Sequence, residues 1–254
     1  MFSCVKTCFD SPIDIVFMKE PYILSVIAKV HAWIASRVGS EWLRQGRTVS
    51  QSLLLVSTSC WFSCVSVRVY DDPDQPVFST GENVLPITAQ ADSLSVVTFN
   101  IKKAEKTELA AFELDQLQNH SNVDVYLLQE MDENGVAAIA KRLNLNYLYI
   151  PVVYNNSVKK NIGNAILTKG AVQCFEKLFL PHQKPLSKSR RLVTVAEVTI
   201  KEKKILVYSV HTETMVMSAK KRMDQVGHII EHANRQKANY QYILIGGDFN
   251  TLFS

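Results

Sequence analysis

The sequence has little net charge, little cysteine and no internal repeat. Its 254 residues carry 28 Lys and Arg against 24 Asp and Glu, which gives a net charge of +4. Within residues 71–254 the two signs are nearly balanced, 21 to 20. No broad basic field therefore indicates a nucleic-acid-binding protein, and any polyanion would have to be held by local patches.

Cysteine is too scarce and too unevenly placed to indicate a disulfide framework. The five cysteines form an odd set, and four of them precede residue 65. The two C-x₃-C pairs, Cys4 with Cys8 and Cys60 with Cys64, have no histidine or acid beside them at the spacing of zinc ligands. We expect these thiols to be small apolar side chains rather than metal ligands.

Length and composition are those of an ordinary globular protein with one domain and an appendage. Hydrophobic residues make up 47% and charged residues 20% of the chain. We predict an N-terminal helical segment with a membrane or signal sequence (1–70), a linker rich in Pro, Asp, Ser and Gly (71–93), and a catalytic domain (94–254).

Residues 48–67 are the stretch that favours membrane association. They contain no charged residue, they follow three arginines and they precede three aspartates. Their length suffices for a bilayer span, and the charge asymmetry favours an anchored or exported protein over a cytoplasmic one. Six serines argue against a span, so an export signal and a soluble appendage both remain open. Helical periodicity at 22–42 indicates a packed or interfacial helix.

The catalytic domain shows strand and helix patterns in alternation. Apolar runs predict strands at 94–101, 124–129, 147–151, 164–168, 192–199, 204–211 and 241–246. Helical periodicity predicts helices at about 106–118, 133–142 and 216–236. The order predicts an α/β fold with mixed sheets.

Four of these strands end on a polar residue. Three apolar runs stop at Asn100, Glu130 and His211, and the last is broken by two glycines before Asp248 and Asn250. Packing needs no functional group at a strand end, whereas a site at the edge of a sheet does. For Asp248 and Asn250 alone, an Asx turn that closes a buried strand is the alternative.

These residues carry a resemblance to a known family. TFNI at Asn100, LLQE at Glu130, GNAIL at Asn164, SVHT at His211 and GGDFN at Asp248 and Asn250 stand in the order seen in the endonuclease/exonuclease/phosphatase superfamily. The resemblance covers residues from about 94 to the end. It implies a four-layer α/β/β/α sandwich of two mixed sheets, as in deoxyribonuclease I.

The resemblance also implies a role for each residue. Glu130, with help from Asn100, would bind Mg²⁺ or Mn²⁺. Asp248 and Asn250 would orient the attacking water and the scissile phosphate, and His211 would donate to the phosphate or the leaving group. Asn164 and Arg191 would contact the substrate. The implied activity is hydrolysis of a phosphodiester, in a nucleic acid or in a phospholipid headgroup.

One element that the resemblance implies is missing from the sequence. Family members carry a late Asp-His pair whose histidine activates the water, and the 254 residues contain no Asp-His dipeptide. We therefore expect a fold that is incomplete at its C-terminus. Two alternatives to a nuclease-like enzyme stay open, namely a phosphatase or phospholipase acting on lipid or inositol phosphates and a catalytically silent homologue. The oligomeric state is open as well.

Overall fold

The computed structural model describes residues 3–8, 13–17, 67–80, 93–185, 187–200 and 202–250. All of the described residues belong to one compact unit. The predicted helix at 22–42 and nearly all of the uncharged stretch at 48–67 lie outside the described residues. Within the described part of the chain, no helix is both long enough and apolar enough to cross a membrane.

The described strands form two mixed sheets. The first has the order β1 (Ser3–Cys8), β5 (Ser93–Asn100), β6 (Val125–Met131), β8 (Lys160–Thr168), β7 (Asn146–Asn155) and β3 (Val67–Val69), with β4 (Phe78–Ser79) also paired to β7. The second has the order β2 (Ile13–Phe17), β12 (Tyr242–Asp248), β11 (Lys203–His211), β10 (Leu192–Ile200) and β9 (Ala171–Phe179). The described helices are α1 (Thr107–Ser121), α2 (Glu133–Leu143) and α3 (Ala219–Gln236).

Alternating strand residues face two different cores, and this creates the layers. In β6, Leu128 packs in a core with residues of α1 and α2, whereas its neighbour Leu127 packs between the two sheets. In β12, Leu244 faces the core between the sheets, and Ile245 faces α3 on the far side. Because side chains on a strand point alternately to opposite faces, each sheet buries both of its faces. The result is the predicted four-layer α/β/β/α sandwich.

The N-terminal boundary of the domain was predicted wrongly. We expected residues 1–70 to form a separate segment, but β1 pairs antiparallel with β5 and β2 pairs parallel with β12. Backbone hydrogen bonds to a strand far along the chain create these two short elements. A window of local sequence cannot reveal such pairing, since the runs are only six and five residues long.

The first part of the predicted linker belongs to the fold as well. Phe78 and Ser79 pair with β7, and Nζ of Lys177 donates to the backbone oxygens of Asp72 and Gln75 at 2.9 and 2.6 Å. Lys177 is 5% exposed, and its burial lowers the pKa of its ammonium group. The composition, rich in Pro and Asp, predicted a free linker. It could not show that a lysine far along the chain binds backbone oxygens of this segment.

The start of α2 offers a direct test of local stability. Asp132 precedes the helix, its Oδ1 accepts from the N–H of Gly135 at 2.9 Å, and its Oδ2 lies 2.8 Å from Nζ of Lys160. We expect Asp132→Ala to lower the free energy of unfolding by about 1 to 2 kcal/mol, since a helix N-cap is lost.

Urea denaturation of Asp132→Ala, Asp132→Asn and Lys160→Met would separate the cap from the ion pair. Asn also caps helices, so Asp132→Asn should retain most of the stability. Lys160→Met removes a partly exposed ion pair and a hydrogen bond of 3.4 Å to the backbone oxygen of Ala104, and it should cost less than the alanine variant. Equal losses in Asp132→Ala and Asp132→Asn would contradict the capping role.

Candidate active site

The strand ends that carry polar residues meet at one edge of the sandwich. β5 and β6 are parallel neighbours in the first sheet, and Asn100 is in register with Gln129, one residue before Glu130. β11 and β12 are parallel neighbours in the second sheet, and His211 is in register with Asp248. The two packed sheets thus bring four side chains together from positions far apart in the sequence.

A β-bulge aims Glu130 at this edge. The register between β6 and β8 shifts between Leu128 and Met131, and Glu130 has a left-handed backbone with φ of 56°. Leu128 and Met131 both pack in the core beside α1 and α2, although residues three apart on a regular strand would face opposite ways. The extra residue turns Glu130 away from that core. Such a conformation costs about 1 to 2 kcal/mol in a residue other than glycine, and it is typical of functional sites.

Hydrogen bonds join the strand-end residues. Nδ2 of Asn100 donates to Oδ2 of Asp248 at 2.8 Å, and the backbone N–H of Lys103 donates to Oε2 of Glu130 at 3.0 Å. Nε2 of His211 lies 3.8 Å from Oε1 of Glu130 and 3.9 Å from Oδ2 of Asp248. The structure therefore brings together Asn100, Glu130, His211 and Asp248, and it places Asn100 where it orients Asp248.

Asn250 belongs to the same cluster through an Asx turn. Its backbone N–H donates to Oδ1 of Asp248, and its Nδ2 donates to the backbone oxygen of Thr212, both at 2.9 Å. The backbone of Asn250 is left-handed, with φ of 47°. The Asx turn that the sequence offered as an alternative is present, and it lies within the predicted site rather than in place of it.

His211 is buried against positive charge. The residue is 3% exposed, and Nη1 of Arg191 lies 3.3 Å from its Nδ1. Burial, followed by the charges of Arg191 and Lys184, lowers the pKa of the imidazole well below its usual value. His211 is therefore neutral at pH 7, and its approaches to Glu130 and Asp248 are not ion pairs.

A buried carboxylate holds the cations beside His211. Oε1 of Glu213 lies 3.3 Å from Nη2 of Arg191 and 3.3 Å from Nζ of Lys184, and it accepts from the N–H of Thr214 at 3.1 Å. Burial alone would raise the pKa of Glu213, but Arg191, this N–H and Lys184 lower it. The carboxylate therefore stays ionised. The backbone N–H of Glu213 donates to Oε1 of Gln225, and this bond ties the backbone after His211 to α3.

The two residues predicted to contact the substrate line a cleft of about 340 Å³. Asn164 lies in its wall, where its Nδ2 donates to the backbone oxygen of Leu192 at 3.0 Å and thereby ties β8 to β10. Arg191 lies in the wall as well, and its Nε is buried without a hydrogen-bond partner among the described residues. A buried N–H of this kind costs about 1–3 kcal/mol unless an acceptor reaches it, and a phosphate oxygen is a suitable acceptor.

The donor set of the cluster fits a hard divalent cation. Within the described ranges, no three His, Cys, Asp or Glu side chains converge closely enough to hold a metal ion between them. Mg²⁺, however, is usually bound by one or two carboxylates together with waters and phosphate oxygens. Glu130, with Asp248 across from it, supplies carboxylate oxygens of this type. A site for a thiolate-binding metal does not fit, because the one described side-chain thiol, Cys174, does not line this cleft.

Sequence reasoning missed the residues that support the cluster. Gln129 is fully buried between the sheets, where its Nε2 donates to Oγ of Ser209 and its Oε1 accepts from Oγ1 of Thr98, each at 3.3 Å. Lys184 comes from the loop between β9 and β10, and only folding brings it to Glu213. The sequence could have indicated Glu213, because it stands two residues after His211.

The model of the Endonuclease/Exonuclease/phosphatase family matches residues 97–252, which include every strand-end residue of the cluster. No curated protein matches the sequence.

Solved structures are similar in fold at low sequence identity. An endonuclease/exonuclease/phosphatase family protein from Bacteroides thetaiotaomicron is 13% identical with a TM-score of 0.50, over 62% of this chain and 62% of that one. A family protein from Leptotrichia buccalis is 17% identical with a TM-score of 0.49, over 62% and 68%. TDP2 from D. rerio, complexed with a single-strand DNA product, is 19% identical with a TM-score of 0.46, over 63% and 62%. The chain thus spans less than two thirds of the length of the Bacteroides and D. rerio proteins.

Proposed function

Because the chain belongs to the endonuclease/exonuclease/phosphatase family, we propose that it is a hydrolase of phosphoric esters that uses Mg²⁺ or Mn²⁺ and acts on phosphodiesters of the nucleic-acid type. One observation carries the proposal. Asn100, Glu130, His211 and Asp248 come from four strands of two sheets, yet they contact one another at a single edge.

Each residue has a role that its contacts support. Glu130 would hold the cation, which neutralises phosphoryl oxygens and lowers the pKa of a bound water. Asp248, oriented by Asn100 and by the N–H of Asn250, would position the attacking water. Arg191 would bind a phosphate oxygen from the cleft wall, since its Nε has no acceptor among the described residues and phosphate oxygens accept well from a guanidinium.

A substrate panel tests this function. The full chain would be incubated with plasmid DNA, RNA, sphingomyelin and inositol phosphates, each with Mg²⁺ and with EDTA. We expect hydrolysis of DNA or RNA that EDTA abolishes. Turnover that is the same in EDTA would contradict metal dependence, and turnover of sphingomyelin or inositol phosphates alone would contradict the nucleic-acid substrate.

A second candidate function is binding of metal and phosphate without turnover. Among the described residues, His211 is the one histidine in the wall of the cleft. His182 forms its hydrogen bond with Asp224 at 2.9 Å, and His232 lies between Tyr208 and Glu176, so neither faces the cleft. Mg²⁺-dependent phosphate binding, measured by calorimetry in the absence of any hydrolysis, would support this candidate.

A further inference from the structure

The hydrogen bond between Arg191 and His211 determines where the imidazole proton lies. A guanidinium group has five N–H donors and no acceptor. Since Nη1 of Arg191 lies 3.3 Å from Nδ1 of His211, that nitrogen must be the acceptor and carries no proton. With Nδ1 unprotonated by this contact, the one proton of the ring lies on Nε2. Nε2 is the nitrogen that faces Glu130 and Asp248.

Glu213 holds the guanidinium in the position that makes this contact. Its Oε1 lies 3.3 Å from Nη2 of Arg191, and the carboxylate is 1% exposed, so water does not compete for the pair. The second cation at the carboxylate is Lys184, whose Nζ lies 3.3 Å from Oε1 of Glu213; it acts on the imidazole through its charge and not through a hydrogen bond. Arg191 is therefore the connection between the buried carboxylate and the ring.

We propose that Glu213 is a positioning residue that acts through Arg191 to fix His211 as an Nε2–H donor. The inference rests on the proposed function, and it assigns the histidine to the phosphate rather than to the metal. Coordination of a cation by Nε2 would move the remaining proton to Nδ1, where it would face an N–H of Arg191. Two donors cannot bond to each other, so His211 stays outside the ligand set although two carboxylates lie within 4 Å of it.

Nitrogen NMR on the full chain tests the proton position directly. The six histidines would be labelled with ¹⁵N, and the signals of His211 would be assigned by their loss in His211→Asn. Long-range ¹H–¹⁵N spectra at pH 7 should show a protonated Nε2 and an unprotonated Nδ1 whose resonance is shifted by the bond from Arg191. A protonated Nδ1 in the unaltered protein would overturn the proposal, whether or not any variant folds.

Three variants separate the positioning role from a merely structural one. In Arg191→Met and Glu213→Ala the Nδ1 resonance should move toward that of an imidazole nitrogen without a donor. In Lys184→Met, which removes the other partner of Glu213 and a charge that acts on the ring without a hydrogen bond, it should move much less than in Glu213→Ala. An unchanged resonance in Glu213→Ala, or an equal shift in Lys184→Met, would refute the role of Glu213.

Metal coordination provides a second readout that does not need turnover. Pulsed EPR of the protein with Mn²⁺ should show no coupling to a coordinated imidazole nitrogen, and such a coupling from His211 would overturn the proposal. Both readouts are independent of hydrolysis. If the substrate panel fails, the proposed function is rejected, but the proton position of His211 can still be measured. If the NMR and EPR results contradict the role of Glu213, hydrolysis in the substrate panel can still support the proposed function.

Discussion

Glu130→Gln is expected to lower the affinity for Mg²⁺ or Mn²⁺ on the order of 100-fold or more and to abolish any metal-dependent hydrolysis. Glutamine keeps the shape of the side chain, and its oxygen can still accept from the N–H of Lys103. What is lost is the charge that holds a divalent cation at a site with few other ligands. The fold should survive, because the bulge around residue 130 is formed by backbone pairing with β8.

Thermal unfolding with and without Mg²⁺ measures this loss even if the substrate is not known. A ligand at about 100 times its Kd stabilises the native state by about 2.7 kcal/mol, which for a domain of this size corresponds to a rise in Tm of about 5 to 10 °C. We expect that rise in the unaltered protein and none in Glu130→Gln. Glu231→Gln, which changes an exposed acid on α3, is the matched control and should keep the full rise. A rise that persists in Glu130→Gln would place the cation elsewhere.

Gly247→Ala is expected to destroy cooperative folding. A Cβ at position 247 would lie 2.0 Å from the backbone oxygen of Val210 and 2.7 Å from its N and C atoms. Those atoms belong to β11, the parallel neighbour of β12, so they cannot move without breaking the ladder that carries His211 and Asp248. The backbone at Gly247 also has φ of 142°, a conformation that other residues rarely adopt. We expect a loss of about 4 kcal/mol or more, which is a large fraction of the stability of a typical domain.

Gly227→Ala is the matched control for this substitution. Gly227 lies inside α3, and an added Cβ there meets no atom within 4 Å. Alanine should stabilise the protein by up to about 1 kcal/mol, since glycine is a poor helix former. The urea midpoints of the two variants should therefore shift in opposite directions from that of the unaltered protein. A Gly247→Ala protein whose midpoint equals that of the unaltered protein would show that β11 and β12 can separate at this point.

The positions of the strand-end residues were predictable because each follows an apolar run long enough to indicate a buried strand. Asn100, His211 and Asp248 end their strands, and register across parallel pairs places two of them side by side. Once the family resemblance supplied two stacked sheets, convergence of the ends followed. Local apolar patterning and the order of the motifs were sufficient for this part of the site.

What could not be predicted depends on pairing between distant segments. The bulge at Glu130 is a shift of register between β6 and β8. Nothing in the local sequence QEMD indicates this shift. β9 was missed because exposed residues at 173–176 interrupt its apolar pattern. Lys184 and Glu213 were not among the predicted site residues, and only tertiary contacts bury the carboxylate and link it to Lys184 and Arg191.

The pairing of β2 with β12 has a consequence for biosynthesis. Ile13–Phe17 is translated well before its partner in Tyr242–Asp248, because most of the described chain lies between them in the sequence. Contacts between residues so far apart in the sequence form slowly. Until they form, a nascent chain exposes unpaired backbone groups and apolar side chains. β2 therefore takes its place in the second sheet only after β12 has left the ribosome, and the Asp248 end of that sheet cannot be completed before then.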